Sequence, residues 1–133
     1  MINTSLVGPL SSGSAVGSAG VATANETSSI IVRGKVLSVF VEYLDSPPAT
    51  TDVTVATAGV SALPAATILS LANANTNIVK YPRVGVHKSD GTNATYDGTN
   101  QIFEPQYIHD KVKVTIAQAN AGDSVNVYLV LEN

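Results

Sequence analysis

From residue 29 onward the chain alternates short apolar, β-branched runs with clusters of Pro, Gly, Asn and Asp, which predicts strands joined by turns and at most minor helix. The longest run is residues 30–44, IIVRGKVLSVFVEYL. Val36, Ser38, Phe40, Glu42 and Leu44 alternate there with Leu37, Val39, Val41 and Tyr43. Both sets are largely apolar, the pattern of a strand covered on two sides. Gly34 marks a bulge or a close backbone approach. Ser46-Pro47-Pro48 ends the run, since proline donates nothing to a ladder.

The rest of the chain reads in the same way. Residues 52–57 form a short strand with Val53 and Val55 on one face, residues 58–64 a loop, and residues 65–72 a further strand in preference to a short helix. The Asn-rich stretch 72–77 is a turn, because Asn tolerates the left-handed region and bonds its own backbone. Residues 78–88 return as a strand whose start Pro82 demotes to an edge or a kink, and Asp90-Gly91 signals a hairpin. Asp97-Gly98 repeats that signal, so residues 92–104 read as a long loop with a short strand near Ile102 and Phe103. Val112, Val114 and Ile116, then Val125, Val127, Leu129 and Leu131, define a closing antiparallel hairpin around residues 120–123. The expectation is an all-β, antiparallel two-sheet sandwich of about seven to eight strands, with a jelly-roll topology.

Residues 1–25 differ in kind. They hold no charged or aromatic side chain and few large apolar groups. Ordering such a segment costs roughly 1 to 2 kcal/mol per residue, which its own side chains do not offset. It is therefore expected to be an extended docking arm, residues 1–28, gripped by another chain, ahead of a sandwich domain at residues 29–133. Leu6, Val7, Pro9, Leu10, Val16 and Val21 would make the contact. The arm would span on the order of 80 Å, and its removal would leave the sandwich folded.

Composition narrows the function. Charged residues are 13% of the chain against about 25% in an average domain, so the surface is short of charge and part of it is expected to be covered by neighbouring subunits. The net charge of -3 and seven scattered basic residues argue against nucleic acid as a partner. No run approaches a membrane span and no secretory leader pattern is present, so a protein made in the cytoplasm is expected. The absence of cysteine excludes a disulfide framework, a thiol nucleophile and thiolate-bound zinc.

The residues able to carry chemistry are sparse and scattered. His87 and His109 are far apart and each adjoins a Lys or an Asp. No nucleophile elbow occurs, and residues 13–20 lack the spacing of a phosphate loop. Asp90, Asn93, Asp97 and Asn100 supply the oxygen ligands calcium prefers, but without the loop series or its closing Glu, so ordinary turn chemistry is expected. Glu42, Asp45 and Asp52 flank the Pro47-Pro48 turn without an aromatic platform for a sugar. No catalytic residue, cofactor or metal site is expected, and the chain reads as a non-enzyme.

The stretches 34–48 and 51–55, the trio Tyr81-Pro82-Arg83, and the runs 110–115 and 121–125 resemble the small β-sandwich structural proteins of tailed bacteriophages. The resemblance is nearest to capsid decoration, or cement, proteins and covers residues 30–132. It implies a jelly-roll subunit, often a homotrimer, bound outside an icosahedral head and clamping neighbouring major capsid proteins. It brings no catalytic residues. Many weak contacts would add through multivalency, and the arm would add a strand to a neighbour's sheet edge. The second reading is a tail-associated receptor or glycan binder presenting Tyr96, Tyr107 and the loop 90–100.

Overall fold

The computed structural model describes residues 2–60 and 63–133. Among them are eleven strands, more than the seven to eight expected, and every strand pairing is antiparallel. One sheet runs β1 (Thr4–Ser11), β11 (Ser124–Glu132), β3 (Val32–Leu44), β6 (Ile78–Lys80), with β9 (Tyr107–Asp110) also paired to β3. The other runs β2 (Ala22–Thr27), β10 (Val112–Ala119), β4 (Asp52–Thr57), β5 (Thr67–Leu71). A separate two-stranded ribbon joins β7 (Val84–Gly85) to β8 (Phe103–Glu104). The chain crosses repeatedly from one sheet to the other, and the strand orders 1-11-3-6 and 2-10-4-5 are those of a jelly roll. The surplus has two sources: β1 and β2 form from residues expected to be a free arm, and the strand predicted over residues 78–88 breaks at Pro82, so that β6 and β9 share the edge of β3 and the intervening chain loops out with β7 paired to β8.

The core is almost entirely aliphatic. Val39 and Val41 of β3 and Val127 and Leu129 of β11 are fully buried in one cluster with Val53 and Val55 of β4 and Val114 and Ile116 of β10. Each such side chain contributes about 1.5 to 3 kcal/mol by leaving water. Period-two alternation carries these residues to one face, and the same alternation leaves their neighbours outside.

The free arm does not exist. β1 pairs with β11 from Thr4↔Glu132 to Ser11↔Asn126, and β2 pairs with β10 from Lys113↔Thr27 to Ala119↔Ala22. Ser12, Ala15 and Ala22 are buried, while Val7, Leu10 and Ala24 pack against the core. The expected boundary at residue 28 therefore separates nothing, because residues on either side of it share one core. The composition misleads for a physical reason. An edge strand can be held by backbone hydrogen bonds to its own subunit, which need no large side chains.

Other expectations change in detail. The bulge in β3 falls at Leu37, where the partners of Val130 and Leu131 skip from Ser38 to Val36, so Val36 joins Val39 and Val41 on the inner face. Gly34 is instead a close approach: a Cβ there would stand 2.9 Å from the Glu132 carbonyl oxygen, at φ +133°. The strand β9 is an addition to the expected set. Residues 65–72 do contain a strand, and Asn73 adopts φ 52° in the turn that follows. Of the loop predicted over residues 58–64, residues 61 and 62 lie outside the described residues.

Candidate interaction surface

Two surfaces stand apart from the core. The first is the excursion 81–106, which leaves the edge of β3 after β6 and returns as β9. Its root is tied down where Arg83 Nη1 donates to the Leu37 carbonyl (3.1 Å) and the Val36 amide donates to the Gln106 carbonyl (2.9 Å). Beyond β7 and β8 the chain doubles back on itself: the Ala94 amide donates to the Val86 carbonyl, and the Ile102 amide donates to the Ala94 carbonyl. Not one residue from 69 to 107 is buried. The excursion is ordered by its own backbone bonds and adds nothing to the core.

Its two turns are held by carboxylates. Asp90 Oδ1 accepts from the Thr92 amide (3.0 Å) and hydroxyl (2.6 Å). Asp97 accepts from the amides of Thr99 (2.9 Å) and Asn100 (2.6 Å) and from Asn100 Nδ2 (2.6 Å). These bonds favour the charged forms: the Thr92 hydroxyl chiefly lowers the Asp90 pKa, and the Asn100 amide chiefly lowers that of Asp97. The candidate calcium ligands thus serve two separate turns. Among the described residues no three His, Asp or Glu side chains gather as a metal site.

The second surface is the outer face of the β1-β11-β3-β6 sheet. Register places Leu6, Val130 and Ser38 in one row, and Tyr128, Phe40 and Val79 in the next. The rings of Phe40 and Tyr128 stack with centroids 5.9 Å apart. The outer face of the other sheet is different in kind, with Asn25, Thr115, Thr54 and Ser70 in one row. Of five tyrosines and two phenylalanines, only Tyr43 belongs to the core. Tyr81, Tyr96, Phe103 and Tyr107 are exposed on or beside the excursion.

The residues expected to bind a partner divide. Val7 and Leu10 are used by the subunit's own core, whereas Leu6, Pro9, Val16 and Val21 are exposed. His87 lies in the excursion, bridged to Asn93, and His109 lies on β9. The three carboxylates near Pro47 do not converge on one site. Glu42 is on the outer face of β3, where Asn126 Nδ2 donates to it at 3.5 Å, while Asp52 on the other sheet accepts from Gln118 Nε2 and the Asn73 amide. The outer aromatic face is not among the expected sites, although it leaves a signal in the sequence: a strand apolar on both sides has one side that its own fold does not cover.

These features define an antiparallel jelly-roll sandwich with an ordered surface excursion. Comparison of the chain with protein-family models, curated proteins and solved structures gives no match.

Proposed function

We propose that this chain is a structural virion protein, a capsid decoration subunit that binds the exterior of a bacteriophage head and bridges neighbouring major capsid proteins. The observation that carries it is the excursion 81–106, which is ordered without entering the core and carries exposed Tyr81, Tyr96 and Phe103. Ordering a segment costs conformational entropy. Aromatic side chains recover that cost when a partner buries them, and they are enriched at the centres of protein interfaces. The excursion adds a docking surface to that of the amino-terminal residues, which are paired into both sheets and keep Leu6, Pro9, Val16 and Val21 exposed. The reading is that of a binding protein and not an enzyme, located on the capsid exterior after assembly in the host cytoplasm.

Mixing undecorated heads with the wild-type protein and with a Tyr81→Ser/Phe103→Ser double variant, then pelleting the heads, tests this. Wild-type protein is expected in the pellet and the variant in the supernatant. Wild-type protein left in the supernatant overturns the reading, and a variant that pellets as well as wild type removes the excursion as its contact.

One observation favours a second reading. Tyr96 is 71% exposed beside the turn that Asp97 organises, an aromatic face next to a carboxylate as a glycan-binding loop would present. Binding to host-cell glycans that is abolished by Tyr96→Ser, without binding to heads, selects that reading.

A further inference from the structure

Charge is ordered along the outer face of β3. Outward side chains run from Arg33 and Lys35, through Ser38 and Phe40, to Glu42, with Asp45 exposed just past the strand end. Neighbouring strands add Glu132 and Tyr107 beside Lys35 and His109 beside Arg33, so two basic side chains stand against one acidic side chain at the first end. The second end is acidic. Between the two lies the apolar middle of Leu6, Val130, Tyr128, Phe40 and Val79, with a hollow of about 280 Å³ lined by Ser38 and Glu42 as well as by Leu6, Phe40, Tyr128 and Val130.

We propose that this face pairs with the same face of a second copy of the chain, about a two-fold axis that lies in the interface and crosses β3 near residue 39. Such an axis reverses strand direction between the copies. It lays Arg33 and Lys35 of each over Glu42 and Asp45 of the other, and seats each Phe40 over the small Ser38 opposite, filling both hollows. An axis parallel to β3 would instead set like charges together, and their repulsion disfavours that arrangement. Isologous pairing of this kind is the commonest symmetry among soluble oligomers.

The dimensions suit a stable pair. Strands β1, β11, β3 and β6, of eight, nine, thirteen and three residues, spaced about 4.8 Å apart and rising about 3.3 Å per residue, give a face on the order of 500 Å² per copy, which reaches the roughly 1,000 Å² in total that a specific interface needs. The opposite sheet, with its rows of Thr, Asn and Ser, has little apolar surface to remove from water. The inference stands apart from the capsid reading, because it concerns the free protein.

Sedimentation of the full chain at micromolar concentration tests it, with far-ultraviolet dichroism and melting as controls for folding. The wild type is expected to have the mass of a dimer. Phe40→Glu is expected to be monomeric and still folded. Glu42→Lys is expected to weaken association by about tenfold, and adding Lys35→Glu to it to restore association, because those two residues meet across the axis. A monomeric or trimeric wild type, a dimer that survives Phe40→Glu, or charge reversals that fail to compensate each overturn the proposal. If Phe40→Glu does not fold, the paired charge reversals decide alone.

Discussion

Ser12 and Val125 are hydrogen-bonded to each other twice. The Val125 amide donates to Ser12 Oγ (3.0 Å), and the Ser12 amide donates to the Val125 carbonyl (3.1 Å). Both residues are fully buried. A residue whose surroundings in the sequence suggest a free arm is thus fastened to the last strand of the same chain.

Ser12→Ala removes the acceptor for a buried amide. The expected cost is about 1 to 3 kcal/mol, since an unsatisfied buried donor bears its full desolvation penalty. Urea unfolding measures it, and a midpoint equal to wild type contradicts it. Deleting residues 2–28 removes β1 and β2, an edge strand of each sheet, and is expected to abolish the cooperative transition altogether.

Val127 is fully buried on the inner face of β11, with Val41 as its partner on β3. Val127→Asp buries an unpaired carboxylate among aliphatic side chains and is expected to leave the protein unfolded at 25 °C. A sigmoidal melt close to wild type would count against this packing.

Tyr43 is the one aromatic residue of the core, and its hydroxyl is buried without a partner. Burial chiefly, and the nearby Asp52 charge, raise its pKa above the ordinary value of 10.0. Below that value both folded and unfolded chains keep the proton. As pH rises past 10 the unfolded chain loses it first, so stability falls until the folded pKa is passed. Tyr43→Phe is expected to flatten this alkaline decline and to raise neutral-pH stability by about 1 kcal/mol. Paired melts at pH 7 and pH 10.5 provide the check.

Asp90 and Asp97 have lowered pKa values, so the sign is reversed. Their contribution is present above the unfolded carboxylate pKa, about 3.9 for Asp, and is lost as pH falls through the lower folded values. Amide resonances of residues 90–100 are therefore expected to move below about pH 4 while those of β10 and β11 stay fixed. Asp97→Ala is expected to shift the same resonances at neutral pH. Movement of β10 in parallel would mean the excursion is coupled to the core.

Strands with strong alternation are legible in the amino-acid sequence. Residues 52–57, 112–116 and 125–131 read correctly because each has one continuous apolar face. β1 and β2 are not legible, since their bonds run to residues more than a hundred and about ninety positions away respectively, and such partners leave no local trace. β9 is hidden for a similar reason: its place beside β3 depends on the break at Pro82. Of the candidate surface, the exposed tyrosines Tyr96 and Tyr107 can be picked out from their loop-like surroundings, whereas the Phe40 and Tyr128 stack cannot. Two rings eighty-eight positions apart in sequence become neighbours only through the pairing of β3 with β11.

By itself the amino-acid order determined the class of the protein. Period-two hydrophobicity and turn residues specify strands whatever their neighbours, because the alternation belongs to the pleated backbone. Tertiary structure alone decided that the uncharged leading residues close both sheets, that the chain between β6 and β9 leaves the sheet as an excursion, and which side of β3 remains uncovered. Those outcomes depend on which distant backbone groups find each other, and hydrogen bonds between peptide groups are blind to the side chains that a sequence displays.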